Sequence, residues 1–443
     1  MFSARDMLRY AAVPGLDRAY VIGCLERRVT IYAQQVRALN TVNALFTTGR
    51  VQPGDTVVVL GAGFAGLTAA VGAAFLGAEV IVLEKEPIPF SVQAGCSQRW
   101  IHPHIYDWPY ANSDQASAEL PVLDWQAGPC ESVVRDLRAE VERAQRDYRL
   151  EINCSIEDLQ LPGEGNLRYQ AHDDVGGLRS PYRRIRYSAL IVAVGFGVEP
   201  DGSYWREDDL EQPFPGPRNG FVVSGIGDGG LIESVRLRLG GHGEQQNLFP
   251  WLMEEFLPSL NRYLIGELRA AESAAEPSPS TYAGDERHRR DEGFSHELAE
   301  VYERLLGEHP EVLRAAGSRL RPDSQVRLVG TLPEPYHPHA SALNRFLVAV
   351  LRHVDGPHFE YIQGRTAASA GGRVIRRTGT ADAGTVDPIE DDTRLIVRHG
   401  PTSALEAGLA GLAEKLRGVS PMQLDAPRIP QWDSSLFEGY GSG

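Results

Sequence analysis

The chain is short of cysteine, of positive charge and of long apolar runs, and each shortage removes a class of protein. Four cysteines, Cys24, Cys96, Cys130 and Cys154, are scattered through 443 residues and form neither C-x-x-C, nor C-x4-C, nor a metal-ligand spacing. A local redox dithiol and a structural zinc site are therefore not expected, and without a disulfide framework the compartment expected is reducing, the cytoplasm. Lys and Arg total 44 against 59 acidic residues, a formal charge of −15, which disfavours nucleic acid and anionic membranes as partners. The opening MFSARDMLRYAAVPG has no apolar signal core, and the most apolar stretch is interrupted by Glu79 and by glycines, so no membrane span is expected. Neither G-x-S-x-G nor G-x-x-x-x-G-K-[ST] occurs, which removes the nucleophile elbow and the NTPase phosphate loop.

What the chain does have is a nearly complete dinucleotide-binding unit from Thr56 to Glu86. Thr56 to Leu60 is an apolar run of strand length, Gly61-Ala-Gly63-Phe64-Ala65-Gly66 fills G-x-G-x-x-G, Leu67 to Leu76 suits a helix, and Glu79 to Leu83 is a second strand. Gly61 permits the tight turn, Gly63 lets backbone approach a pyrophosphate, and Gly66 lets helix and strand lie close. The helix N-terminus offers unpaired N–H groups to the phosphates. Glu84 stands eighteen positions beyond Gly66, near the offset of about 20 residues at which a carboxylate holds a ribose diol. An acid there suits an unphosphorylated ribose, as in FAD or NAD.

Two later segments bear on which dinucleotide is bound. Ser188 to Gly197, SALIVAVGFG, is an apolar strand running into glycines, and Phe221 to Gly230, FVVSGIGDGG, is another, followed by the helix-like LIESVRLRL. Read as a second G-x-G-x-x-G for NAD(P), the latter needs another strand and a ribose reader about 20 residues on. That distance falls in GGHGEQQNLFPW, so a different reading is preferred. The first segment resembles the "ATG" strand of two-dinucleotide-fold flavoproteins, with Ala193, Val194 and Gly195 in the motif positions and Val194 in place of the usual threonine. The second resembles their "GD" motif, with Asp228 placed to accept from the ribityl chain.

With the glycine turn, these segments resemble the FAD-dependent oxidoreductases of the glutathione-reductase-like fold, in the broad sense that includes amine and amino-acid oxidases and flavin monooxygenases. The resemblance covers roughly residues 52–239 and implies FAD contacts from Gly61, Gly63, Phe64, Ala65, Gly66, Glu84, Lys85, Gly95, Ser97, Gln98, Arg99, Gly195, Gly227, Asp228 and Gly229. It also implies that His102, His104, Tyr106 and Trp108 line the flavin, a neutral imidazole taking a proton and aromatic rings holding a substrate. The alternative for this loop is interface packing pinned by Pro103 and Pro109. His102-x-His104 with Asp107 supplies too few ligands for a metal site, and none is expected.

Tyr336-His337-Pro338-His339 has the same aromatic and histidine character and would share a pocket with His102 if the fold brought the two together. Arg345 is a candidate for a substrate carboxylate, against an ordinary helix-surface ion pair. Arg398-His399-Gly400 is similar to the opening of histidine phosphatases, but only 43 residues follow Gly400 and none is histidine, so a strand-end loop is expected.

The fold class expected is α/β, a Rossmann-type FAD-binding domain with central parallel sheet and β-meander plus a largely helical substrate or cap region. The divisions expected are a helical segment 1–50, an FAD-binding domain 51–239 with a pocket loop 90–121, a helical cap 240–330 with a mobile loop 270–292, and an α/β region 331–443. Further helices are expected over Leu25 to Thr48, Glu131 to Tyr148, Ala340 to His353 and Ser403 to Leu416, and no internal repeat. The function expected is FAD-dependent oxidation of a small amine or amino acid, with hydride passing to flavin and oxygen as final acceptor. A flavin monooxygenase, an NAD(P)H-dependent flavin reductase and a non-catalytic FAD or NAD sensor stand as alternatives, and homo-oligomerisation is left open.

Overall fold

The protein is described here from a computed structural model covering residues 3–22, 30–163, 165–172, 180–195, 204–214, 219–239, 248–274, 285–369, 372–379, 383–400 and 429–440. The chain forms two units: Met1–Pro103, Ala116–Glu207 and Pro401–Gly443 make the first, and His104–Gln115 with Asp208–Gly400 make the second. The division expected near residue 240 thus falls at 207/208.

In the first unit β1 (Ala19–Val21), β2 (Thr56–Leu60), β3 (Glu79–Leu83), β6 (Leu150–Asn153) and β10 (Ala189–Val192) form a parallel sheet in the order β1-β10-β2-β3-β6. Both of its faces are covered, which is why β2 and β10 are continuous apolar runs rather than alternating ones: Val57, Val58, Val59, Leu190 and Ile191 are all buried. On one face pack α1 (Ala4–Ala11), α2 (Ile31–Thr47), α3 (Phe64–Phe75) and α4 (Cys130–Asp147). Gly72 lets α2 approach α3, since a Cβ there would stand 3.1 Å from the Leu39 side chain. On the other face Val58, Leu60, Leu190 and Val192 meet Leu167, Tyr169 and Tyr187 of an antiparallel meander, β7 (Ile156–Gly163), β8 (Asn166–Ala171) and β9 (Arg183–Arg186). The short pair β4 (Trp100–Ile101) and β5 (Gly128–Pro129) fastens the start of α4.

The second unit has a six-stranded sheet in the order β15-β14-β13-β12-β11-β16, from β11 (Asn219–Ser224), β12 (Ser324–Gly330), β13 (Phe359–Ser369), β14 (Gly372–Arg377), β15 (Val386–Ile389) and β16 (Arg394–Val397). β16, β11, β12 and β13 are parallel, and β13, β14 and β15 form a second antiparallel meander. Between α5 (Asp228–Leu239) and β12 come α6 (Leu248–Trp251), a π turn over Leu252–Phe256, α7 (Leu257–Ser259), α8 (Arg262–Ala274), α9 (Asp285–Glu308) and α10 (Pro310–Gly317), and α11 (Ala342–Val354) follows β12.

The α/β class with a parallel sheet and meander is therefore as expected, but the absence of a repeat is not. Each unit runs strand, glycine turn, helix and parallel strand, with a further parallel strand from much later in the chain on the other side of the first. Of the loop expected at 270–292, the two ends are helical, since α8 runs to Ala274 and α9 starts at Asp285, and residues 275–284 lie outside the described residues. Glu272, inside that stretch, is a buried acceptor for the Tyr302 hydroxyl at 2.8 Å. The helix expected from Leu25 begins at Ile31 where described, and the helix expected over Ser403 to Leu416 lies outside the described residues. Among the described residues no helix is long and apolar enough to cross a membrane.

Candidate functional site

The first glycine turn is shaped by backbone contacts that leave no room for side chains. Gly61 has φ of 98° and donates to the Leu83 carbonyl at 2.9 Å. A Cβ on Gly61 would stand 2.5 Å from the Ala193 carbonyl oxygen, and one on Gly66 would stand 2.0 Å from the Gly61 oxygen. A Cβ on Gly63 would meet nothing within 4 Å, so the turn is open where a pyrophosphate would approach the N-terminus of α3. At the end of β3 the buried Glu84 carboxylate accepts from the backbone N–H of Ala62 at 2.6 Å and of Glu86 at 2.9 Å. Those bonds fix its orientation and leave lone pairs for a ribose diol. Glycines that admit backbone approach and an oriented carboxylate at the neighbouring strand end are the donor set an FAD adenosine diphosphate requires.

Gly195 follows β10 with φ of 73° and nothing within 4 Å of its Cβ position, and Gly95, before β4, has φ of 74° and the same open space. The rest of the segment expected to contact cofactor is engaged differently. The Ser97 backbone N–H and hydroxyl both donate to Glu207, at 2.7 and 2.6 Å, and Gln98 donates to Ser97 Oγ at 3.3 Å. A carboxylate held on Ser97 disfavours a phosphate at that spot. Arg99 is buried with its guanidinium 4.0 Å from the Tyr204 ring centroid, and Lys85 pairs with the adjacent Glu86 at 3.5 Å on the surface.

The glycines around Asp228 repeat the first turn residue for residue in the second unit. Gly225, with φ of 123°, donates to the Val329 carbonyl at 2.8 Å, and a Cβ on it would stand 2.1 Å from the Arg398 carbonyl oxygen. A Cβ on Gly230 would stand 1.8 Å from the Gly225 oxygen, and one on Gly227 would meet nothing within 4 Å. β11 pairs with β12 and β16 and not with the strands of the sheet that ends at Glu84. Gly227, Asp228 and Gly229 thus belong to a glycine turn in the second unit's own sheet. Asp228 accepts from Ser341 N–H at 2.6 Å and Asn344 Nδ2 at 2.9 Å, at the start of α11. Arg398, His399 and Gly400 take the places that Ala193, Val194 and Gly195 hold in the first unit. His399 Nε2 lies 2.8 Å from Ser224 Oγ, which is also 2.8 Å from Thr366 Oγ1.

The candidate catalytic loop divides between the units, His102 in the first and His104 and Tyr106 in the second. Tyr106 donates its hydroxyl to the His339 carbonyl at 3.0 Å, and Trp108 packs on Phe346 with centroids 5.5 Å apart. The two histidine-bearing stretches are thus brought together at Tyr106 and His339. Arg345 is no surface residue: it is buried, donates to the carbonyls of His337 (3.0 Å) and Ala340, and pairs with Glu272. A substrate carboxylate would have to displace these partners.

Cys96 and Cys130, 34 positions apart, lie on paired backbone, Cys130 N–H donating to the Arg99 carbonyl at 2.8 Å and Glu131 N–H to the Cys96 carbonyl at 3.1 Å. No sequence spacing announced this contact, because it depends on β4 pairing with β5.

Residues 56–259 match the model of a family described as FAD-dependent oxidoreductase (DAO). No curated protein matches the sequence. Among solved structures the chain is similar to bacillithiol disulfide reductase of Bacillus cereus (12% identity, 78% of each chain covered, TM-score 0.42). It is similar also to the enzyme of the same name from Staphylococcus aureus (11%, 81% of each chain, 0.40) and to thioredoxin reductase of Lactococcus lactis (11%, 80% of this chain and 81% of that one, 0.38). The family match begins at the first residue of β2 and spans the open glycine turn and Glu84; this stretch of the chain is an FAD-dependent oxidoreductase domain, with FAD as its cofactor.

Proposed function

We propose that the chain passes electrons between a nicotinamide dinucleotide, taken up by the second unit, and FAD held by the first. The observation that carries this reading is the second glycine turn, whose close contacts at Gly225 and Gly230 match those at Gly61 and Gly66 within a few tenths of an ångström. Such contacts give the tight turn and close helix packing of a parallel βαβ unit, and the open Gly227 between them leaves the helix N-terminus accessible to a pyrophosphate.

In this reading the backbone of Gly61, Gly63, Phe64, Ala65 and Gly66 takes the FAD pyrophosphate, Glu84 takes the ribose, and Gly195 lies beside the turn. Flavin, when bound, supplies two-electron chemistry. The N-terminus of α5 and the backbone of Gly227 and Gly229 take the second pyrophosphate. The Asp228 carboxylate, drawn toward Ser341 and Asn344, is thereby kept on its bonds to α11.

A second reading, direct oxidation of a small amine or amino acid, is favoured by Gly330. It occupies the place of Glu84 at the end of β12, and a Cβ there would stand 2.5 Å from Ile226, so this position offers no carboxylate for a ribose. His102, His104 and Tyr106 would then serve substrate binding and proton acceptance.

Anaerobic spectra of the flavin-loaded protein decide between these readings. Bleaching of the visible flavin band by NADH or NADPH, but not by amines or amino acids, supports the first. Bleaching only by an amine or amino acid overturns it in favour of the second, and a band that no donor bleaches leaves neither standing.

A further inference from the structure

Resting on the electron-transfer reading, we infer that the dinucleotide taken up by the second unit carries a 2′-phosphate on its adenosine ribose, as NADPH does, and that Arg365 and Arg376 bind that phosphate. Side chains alternate across a strand, so the strand register fixes which face each residue serves. Ser324, Leu328 and Gly330 of β12 lie on the face of α5, where Ser324 Oγ donates to the Leu237 carbonyl at 2.6 Å. Leu328 pairs with Tyr361 and Gly330 with Gln363, which puts Tyr361, Gln363 and then Arg365 on that same face of β13. Arg365 pairs in turn with Arg376 of β14. Gly330 stands where the first unit has Glu84, the strand end to which the ribose of a dinucleotide comes. From there Arg365 is one strand over and two residues on, a backbone separation of roughly 8 Å, which an arginine side chain crosses toward a ribose substituent.

The two side chains that precede Arg365 on this face are already engaged. The Tyr361 hydroxyl donates to the Leu332 carbonyl at 2.5 Å and Gln363 Nε2 to the Thr331 carbonyl at 3.3 Å, which pins the segment leaving β12. Arg365 and Arg376 are both exposed, and among the described residues no hydrogen bond or ion pair engages either guanidinium. Opposite Arg376 on β15 stands Val386, apolar and exposed. Arg377, facing the other way, is held by Asp387 at 2.7 Å and Glu360 at 3.5 Å. Like charges directly opposite on a ladder destabilise it, and here they stay unpaired in a chain with 59 acidic residues against 44 basic ones. A phosphate monoester, with a charge of about −2 and three acceptor oxygens, removes that repulsion, and guanidinium forks match its oxygens. A ribose with a free 2′-hydroxyl gains far less from the pair and finds no carboxylate at Gly330. The same glycine suits a 2′-phosphate, which a carboxylate would repel.

The test is a set of dissociation constants for NADPH, NADH and 2′,5′-ADP on the full-length, flavin-loaded protein. The variants are Arg365→Gln, Arg376→Gln and the two combined, with Arg373→Gln as control, since Arg373 is an exposed cation on the opposite face of β14. Wild type is expected to bind NADPH about tenfold to a hundredfold tighter than NADH, the range of one to two charge-assisted hydrogen bonds. Each single variant loses part of that advantage and weakens 2′,5′-ADP in step, while NADH binding and flavin content stay unchanged. The double variant binds the two coenzymes alike, and Arg373→Gln behaves as wild type. Equal binding of NADPH and NADH by wild type, loss of both together in the variants, or an equal loss of NADPH in Arg373→Gln would overturn the inference and leave the electron-transfer reading standing. A flavin-loaded protein that binds neither coenzyme overturns both.

Discussion

Two helices follow two matching glycine turns in this chain, and they are buried by opposite means. α3 covers its sheet with Leu67, Ala69, Ala70, Val71, Ala73 and Ala74, side chains that lose nothing by leaving water. α5 is buried just as fully yet carries Glu233, Arg236 and Arg238 inward. Arg236 meets Asp208 at 2.9 Å, Glu211 at 2.6 Å and Glu233 at 2.9 Å; Arg398 reaches Glu233 at 2.9 Å; and Arg238 pairs with Asp355. One backbone turn thus tolerates either roof, but the charged one holds only while every partner is present, because an unpaired buried charge costs more than the pair gains.

That difference predicts the largest effect. Arg236→Met takes a shared cation from three carboxylates, of which Glu233 keeps Arg398, and is expected to destabilise the protein by about 3–5 kcal/mol. A polar-to-apolar change on α3, Thr68→Val, removes the acceptor of one Gln35 side-chain bond at 3.0 Å and is expected to cost only about 0.5–1.5 kcal/mol. Urea unfolding of both flavin-loaded variants measures the gap; equal losses would mean that the charged network is no more demanding than the apolar packing.

Next come the glycines that press helix on strand. Gly66→Ala and Gly230→Ala each push a methyl into backbone oxygen and are expected to cost about 1–3 kcal/mol of stability. Their effects on cofactor should part: Gly66→Ala yields protein depleted of flavin, and Gly230→Ala keeps its flavin while losing its response to a nicotinamide dinucleotide. Flavin content by absorbance, then anaerobic titration, separates the two. Similar in size but confined to cofactor affinity is Glu84→Gln, which keeps the shape of the ribose acceptor without its charge. It is expected to weaken FAD by about 1.5–3 kcal/mol, roughly tenfold to a hundredfold in Kd, read by flavin titration of apoprotein.

The first of these turns was legible in the sequence to the residue, because β2, the glycines, α3 and β3 run without interruption and their periodicity is local. The second was misread for a physical reason. Its partner strand β12 starts at Ser324, 94 positions beyond Gly230, since α6 to α10 are inserted where the first unit has a short turn. A search about 20 residues downstream therefore met the wrong segment. Arg398-His399-Gly400 was obscure in the same way, since it becomes the counterpart of Ala193-Val194-Gly195 only once β16 pairs with β11. Arg345 looked like a surface cation because nothing local shows that Glu272 and the His337 and Ala340 carbonyls converge on it.

The smallest expected effect tests whether the missing ribose acid of the second unit is a packing choice. At the end of β12, Gly330 leaves its Cβ position to the Ile226 side chain, where the first unit pairs Glu84 with the much smaller Ala62. Gly330→Ala alone should be destabilising by overpacking, and Ile226→Ala alone by a cavity, since Ile226 is buried. If the two residues exclude each other, the double variant is more stable than the sum of the singles allows, by a coupling of about 0.5–3 kcal/mol. A four-member urea series measures it, and strict additivity would mean that Gly330 is glycine for a reason other than Ile226. A favourable coupling would open the position to Gly330→Glu in the Ile226→Ala background, where a carboxylate could accept from the residue 226 N–H as Glu84 accepts from Ala62.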